Sequence, residues 1–181
     1  MKLGTQHKTL LAGATAFIAC TALAIAFYPH YDFWGQFFSE LGVWRASKLS
    51  AFFFNSGLAL TALFLAVFFF SLKNKGLLRT TTRFLGAASA FALIGVAVFS
   101  LDSSTELHYF FALAFFAAFG LALACLFLQK ALEEKAGKAL TALFAGAALS
   151  AAMLAASLQP WAQKATVAFY GACLLALAFK E

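Results

Sequence analysis

The sequence predicts an all-α, polytopic membrane protein, a six-transmembrane-helix bundle with a short amphipathic helix at the outer interface. Hydrophobic residues make up 64% of the 181 residues and charged residues 11%, whereas soluble proteins carry about 25% charged residues. The mean hydropathy is +0.88. Apolar stretches of about 20 residues, the length that crosses a hydrocarbon core, recur along the chain. Because these stretches show no period-two alternation, helices are predicted rather than a barrel.

The predicted spans fill the chain as a single transmembrane domain, residues 1–181. They are residues 9–28, 49–72, 83–101, 108–128, 139–158 and 165–179. Before the first span, Lys2 and Lys8 also fit the start of a secretory signal peptide. The apolar run continues to Tyr28, which is nearer the length of a spanning helix. We therefore expect a retained first helix.

Basic residues predict the orientation, since they concentrate in cytoplasmic loops. With a cytoplasmic N-terminus, ten of the thirteen Lys and Arg residues lie on the inner side, and only Arg45, Lys48 and Lys164 lie on the outer side. Both termini are then cytoplasmic in a multi-pass protein of the cell membrane. All three tryptophans fall on the outer side, where aromatic rings settle among headgroups.

The connection between the first two spans predicts the amphipathic helix, over residues 32–44. Its apolar side chains recur at helical spacing at Phe33, Phe37 and Leu41. Asp32 suits the N-cap and Gly42 the C-terminal stop. Such a helix either lies in the outer interface or only plugs the bundle, and both interpretations stay open.

Polar and ionisable side chains on the outer side form the candidate site. Asn55 suits a hydrogen bond between helices. Asp102 or Ser103 suits the N-cap of the fourth helix, and Glu106 suits its first turn. His108 is harder to explain structurally, because an ionisable residue at a membrane boundary usually faces the bundle interior or water. We expect the following residues to converge at the outer mouth of the bundle: His30, Asp32, Ser39, Glu40, Asp102, Glu106 and His108.

Two kinds of catalytic site fit these residues. The histidines and carboxylates suit a divalent metal that activates water, although His30-x-Asp32 matches no strong metal motif and the metal stays unidentified. Alternatively, Ser39 is a nucleophile activated by His108, with Glu40 or Asp102 as the orienting group. The sequence leaves the cofactor unknown.

Other classes of protein fit less well. The net charge of +6 comes from basic residues scattered over short loops, which does not favour nucleic-acid binding. Cys20, Cys125 and Cys173 lie in different spans and are interpreted as small buried side chains. Carboxylates deep inside the spans are missing, so an ion-coupled pump is disfavoured.

Two short segments carry a family resemblance: Phe38-Ser39-Glu40-Leu41-Gly42 and Phe54-Asn55-Ser56-Gly57-Leu58. With a histidine opening the fourth helix, they resemble the S-[DE]-x-G and F-N-x-G-L pattern of domain-of-unknown-function family 998. That family is similar to the DRAM, Frag and Sfk group, whose members are linked to lipid organisation and autophagy. The resemblance implies a shared polar site at Ser39, Glu40, Gly42, Asn55 and His108. The chain departs from the pattern at Leu101-Asp102, where a Phe-Pro type end is expected.

The predicted function is binding or organisation of lipid in an outer polar cavity lined by Ser39, Glu40, Asn55, Asp102 and His108. Glu40 and Asp102 would attract a cationic or hydroxyl-bearing headgroup, and apolar helix faces would receive the chain. One alternative is a membrane-embedded lipid hydrolase or transferase with His108 as general base. Another is a structural or partner-binding subunit. The expected partners are membrane lipids, and a protein partner or second copy is left open.

Overall fold

The computed structural model describes residues 4–72, 76–133 and 137–179. In these residues the chain forms six α-helices: α1 Thr5–Phe27, α2 Lys48–Ser71, α3 Leu77–Val98, α4 Thr105–Leu132, α5 Lys138–Ser157 and α6 Pro160–Ala178. Helices α1 to α5 are long and apolar enough to cross a membrane. This confirms the all-α, polytopic class. Helix α6 has 19 residues and packs along α5, and its role as a sixth span stays a prediction.

The helices extend beyond several predicted spans because hydropathy marks the apolar centre of a helix and not its caps. Helix α4 is 28 residues long and runs about one turn beyond the predicted 108–128 at each end. Helix α6 begins at Pro160, since proline is preorganised for the first helical position. Helix α3 begins at Leu77, six residues before the predicted start at residue 83.

Hydrogen bonds at one end of the bundle fix the antiparallel topology. Gln6 Nε2 donates to the Ser71 carbonyl at 2.8 Å, and His7 Nε2 lies 2.9 Å from the Ala178 carbonyl. The last carbonyls of α2 and α6 lack partners within their helices and need such donors. The start of α1 therefore lies beside the ends of α2 and α6. The opposite end, formed by residues 28–47, 99–104 and 158–159, is called the loop end below.

The helix seams differ in tightness. Consecutive helices α1 to α4 pack along their lengths, and α5 packs on α6, but α6 meets α1 and α4 only sparsely. At the α2–α3 seam, a Cβ added to Gly86 would lie 2.1 Å from the Phe69 ring. Small residues allow such close approach where lipid supplies no hydrophobic drive. The bundle is thus a packed four-helix unit with a more loosely attached α5–α6 hairpin.

The short helix of the α1–α2 loop, residues 28–47, is present but covers only Phe38–Gly42 and is a 3-10 helix. Asp32 is not its cap, because its carboxylate accepts a hydrogen bond from the Trp34 N–H at 3.0 Å and forms a separate turn. Side chains that bind nearby backbone groups in this way compete with a continuous helix. Gly42 is the last residue of the 3-10 helix, where the sequence predicts the stop.

Candidate functional site

The 3-10 helix is fixed to α2 by two buried side chains. Ser50 Oγ donates to the Leu41 carbonyl at 2.9 Å, and Asn55 Nδ2 donates to the Gly42 carbonyl at 3.1 Å. A Cβ at Gly42 would lie 2.5 Å from Asn55 Oδ1, so the contact requires glycine there. Asn55 and Gly42 therefore position the loop, and Asn55 is not among the residues that line the cavity described below.

Glu40 is also used within the α1–α2 loop. Its Oε1 accepts from the Phe37 N–H at 2.9 Å, and its Oε2 accepts from Gln36 Nε2 at 2.9 Å. Tyr31 donates from its hydroxyl to the Phe37 carbonyl at 3.1 Å. Burial, and then the negative charge of Glu40, raise the pKa of the Tyr31 phenol. The Glu40 carboxylate thus stabilises the turn before the 3-10 helix.

The two predicted outer loops meet through Asp102. Its Oδ2 accepts from the Arg45 N–H at 3.1 Å, and its Oδ1 accepts from Ser100 Oγ at 2.7 Å. Partial burial acts to raise the pKa of Asp102, but the hydrogen bonds from Ser100 and from backbone N–H groups outweigh it and lower the pKa. Asp102 holds the α3–α4 connection against the start of α2.

His108, in the first turn of α4, is only 3% exposed. Its Nδ1 lies 2.8 Å from the Phe99 carbonyl, and because a carbonyl only accepts, Nδ1 carries the hydrogen. In the neutral ring Nε2 is then an acceptor. We find no hydrogen bond to Nε2 from the described part of the chain, and His108 contributes to the wall of the central cavity.

Helix α6 joins the α1–α2 loop through two side chains that the sequence did not single out as site residues. Gln163 Oε1 accepts from the Phe38 N–H at 2.8 Å. Lys164 Nζ donates to the Gln36 carbonyl and lies 5.0 Å from the centre of the Phe38 ring and 5.2 Å from that of Phe33. These cation–π distances are favourable. Lys164 is 6% exposed, so a cation is buried at the loop end.

A cavity of about 610 Å³ lies between α1, α2, α3, α4 and α6, beneath the α1–α2 loop. Most of its wall is apolar, with side chains such as Leu65, Leu93 and Phe119. Among the described residues that line it, the polar ones are Ser39, Thr61, His108, Gln163, Lys164 and Tyr170. Lys164 alone among these carries a full positive charge at neutral pH.

The cavity opens sideways between α1 and α6. Ile18 of α1 lines it and is 67% exposed, and Ala168 and Gly171 of α6 both line it and are exposed. From Gln163 to Leu175, the lining follows α6 for about 18 Å at 1.5 Å per residue. That length is slightly more than half of a hydrocarbon core of about 30 Å.

The structure therefore divides the predicted site residues. Ser39 and His108 both line the cavity. Glu40, Asn55 and Asp102 are occupied in holding the loops together. His30, Asp32 and Glu106 are exposed and do not line the cavity.

The geometry does not support the predicted metal site or the predicted Ser39 nucleophile. The described residues contain no group of three or more His, Cys, Asp and Glu side chains placed to hold a metal ion. Within the same residues, Nδ1 of His108 bonds to the Phe99 backbone carbonyl. Glu40 and Asp102 accept hydrogen bonds from side chains other than His108. A base oriented by a carboxylate, as in a catalytic triad, is not formed.

The fold and the cavity define a class: a polytopic helical membrane protein with an apolar cavity that opens between α1 and α6. Residues 11–159 match the model of the family described as Protein of unknown function (DUF998), and the chain belongs to this family. No curated protein and no solved structure matches the chain. The similarity to the DRAM, Frag and Sfk group stays a prediction. The match ends just before α6, so Gln163 and Lys164 lie beyond the matched residues.

Proposed function

We propose that the protein binds a membrane lipid, with a hydrocarbon chain in the cavity between α1 and α6 and the polar part of the lipid at the loop end. The sideways opening at Ile18 and Gly171 is the observation that carries this proposal. The volume of about 610 Å³ falls in the range of ligand pockets, roughly 300–1,000 Å³. Such pockets combine an apolar wall with a few polar groups, as here.

A hydrocarbon chain suits the physical character of this wall. Apolar cavities do not hold water stably, because water needs two to four polar partners. An unfilled cavity also loses dispersion contacts along its whole lining. A lipid chain that enters through the opening restores these contacts, and it leaves an environment as apolar as the one it enters.

The hydrogen bonds at the loop end distinguish this proposal from the two alternatives. A purely structural subunit would use its polar residues only for internal contacts, which describes Glu40, Asn55 and Asp102 but does not account for the open cavity. A hydrolase or transferase of the predicted kind would pair His108 with Glu40 or Asp102, and in the structure His108 bonds to the Phe99 carbonyl while both carboxylates bond to other groups. Lipid binding is the function that the cavity supports best.

Photocrosslinking tests the proposal with the full chain in vesicles that contain a phospholipid with a diazirine in its acyl chain. Gly171→Phe is a suitable variant because a Cβ there meets nothing within 4 Å, so the ring narrows the opening without disturbing the packing. Ala145→Phe, at an exposed position of α5 outside the cavity lining, is the matched control.

We expect crosslinks on the cavity-lining faces of α1 and α6, and we expect Gly171→Phe to reduce them several-fold while Ala145→Phe leaves them unchanged. Crosslinks spread evenly over all exposed helix faces, with the same yield in Gly171→Phe, would overturn the proposal.

A further inference from the structure

The charge at the loop end of the cavity indicates which lipids the cavity prefers. Lys164 is 6% exposed, and no carboxylate in the described residues is found within salt-bridge distance of it. The negative charges of Glu40 and Asp32 act on Lys164 without a direct ion pair. Glu40 directs its two oxygens to the Phe37 N–H and the Gln36 side chain. Asp32 accepts a hydrogen bond from the Trp34 N–H. A buried cation without a counterion is costly. An anion that arrives through the cavity would supply one.

Lys164 and its neighbours present hydrogen-bond donors to the cavity. An ammonium group has three N–H donors, and the Gln36 carbonyl takes one of them, while the Pro160 carbonyl lies at 3.5 Å. Gln163 uses its Oε1 to accept from Phe38, which leaves its amide NH₂ as a donor. Ser39, which also carries a hydroxyl donor, lines the same cavity. Donors of this kind suit an acceptor-rich, negatively charged group.

The same wall does not suit a headgroup that also carries a cation. A choline or ethanolamine group is best stabilised by a carboxylate, and among the described residues the cavity lining contains no carboxylate. The nearby rings of Phe33 and Phe38 already lie against the Lys164 ammonium. Net negative charge is therefore favoured over a zwitterion.

We infer that the cavity selects an anionic lipid, whose phosphate or carboxylate accepts hydrogen bonds from Lys164 while its chain lies between α1 and α6. This inference rests on the proposed function, because it names the class of lipid bound at the same site.

Native mass spectrometry of the full chain in detergent tests the selectivity, with an equimolar mixture of phosphatidylglycerol and phosphatidylcholine that have identical acyl chains. We expect the wild type to prefer phosphatidylglycerol by about tenfold, which corresponds to about 1.4 kcal/mol.

Lys164→Gln should bring the ratio of bound phosphatidylglycerol to bound phosphatidylcholine close to one, and Lys164→Arg should keep most of the preference because it keeps the charge. Lys48→Gln, which removes an exposed charge at the start of α2, is the matched control and should not change the ratio.

A competition arm separates the two sources of negative charge. Palmitate that displaces phosphatidylglycerol identifies a carboxylate as sufficient, and failure of palmitate with displacement by phosphatidic acid identifies a phosphate. Displacement by neither anion contradicts the inference. So does a wild-type ratio near one, a measurement that needs no variant and is therefore independent of how Lys164→Gln folds.

The same experiment separates the failure of this inference from the failure of the proposed function. If Gly171→Phe removes both lipids while Lys164→Gln leaves their ratio unchanged, lipid binding stands and anion selection is wrong. If Gly171→Phe changes the binding of neither lipid, the proposed function itself is wrong.

Discussion

Two glycines in the middle of helices, Gly86 and Gly171, show how differently the two sides of the bundle are built. At Gly86 a Cβ would lie 2.1 Å from the Phe69 ring, whereas at Gly171 a Cβ would meet nothing within 4 Å. The first glycine lets α2 and α3 approach closely, and the second borders the opening between α1 and α6. The comparison teaches that the tight seams hold the fold and the open seam offers the binding site.

Gly86→Leu tests the tight seam and has the largest expected effect. The added side chain has to displace the buried Phe69 ring, which is 0% exposed, and overpacking of this kind costs roughly 3 kcal/mol. We expect a strong loss of thermal stability in detergent, measured by fluorescence-detected size-exclusion chromatography after heating. Gly171→Leu is the control and should melt like the wild type. Equal melting temperatures for the two variants would remove the distinction between the seams.

The contact between Gly42 and Asn55 gives the next largest effect. Asn55→Ala removes the donor to the Gly42 carbonyl, and a buried carbonyl left without a partner costs about 1–3 kcal/mol. Gly42→Ala alone should also be destabilising, because its Cβ would lie 2.5 Å from Asn55 Oδ1.

A double-mutant cycle separates that clash from a general intolerance of the loop. In the double variant the Asn55 side chain is absent, so the loss of unfolding free energy should be smaller than the sum of the two single losses. Strict additivity in chemical denaturation would show that the two residues do not interact.

Asp102 gives a smaller, pH-dependent effect. Its pKa is lowered in the folded protein, so its contribution is present above the unfolded pKa of about 3.9 and is lost as the pH falls through the folded pKa. Asp102→Asn should cost about 1 kcal/mol at neutral pH and should weaken the loss of stability on acidification below about pH 4. Melting curves between neutral pH and about pH 3 measure this.

The matched control for Asp102 is Glu106→Gln, which changes an exposed carboxylate in the first turn of α4. It should leave both the neutral stability and the acid profile nearly unchanged. An identical acid profile for Asp102→Asn and the wild type would show that the contact with Arg45 does not stabilise the loop end.

The sequence predicted the features that depend on local pattern. The apolar runs indicated the helices. His108 was expected to face the bundle interior, and it is buried. Gly42 was expected to end the short helix, and it is the last residue of that helix. The polar residues of the motif were all expected to line one cavity, but hydrogen bonding to the backbone occupies Glu40 and Asn55. Residue type alone does not show whether a polar group binds a ligand or a neighbouring carbonyl.

The contribution of α6 was missed for a different reason. Gln163 and Lys164 meet the α1–α2 loop across sequence separations of 125 and 128 residues, which no local pattern reports. Lys164 was interpreted only as one of the few basic residues on the outer side. One signal was available in the sequence. Lys164 is a basic residue on the outer side, where few are expected, and it lies near the start of an apolar helix, which could have marked it as a site residue.

The most direct test of the account is the detection of a lipid chain beside buried cavity residues, by nuclear Overhauser effects between acyl-chain methylenes and leucine methyls in lipid nanodiscs. Leu65 and Leu174 line the cavity and are 7% and 3% exposed, whereas Leu140, at 1% exposed, lies outside it, and Leu149 is 64% exposed. The account predicts contacts at Leu65, Leu174 and the exposed Leu149, with none at Leu140. Contacts at Leu149 alone would contradict it, because no chain would then occupy the cavity.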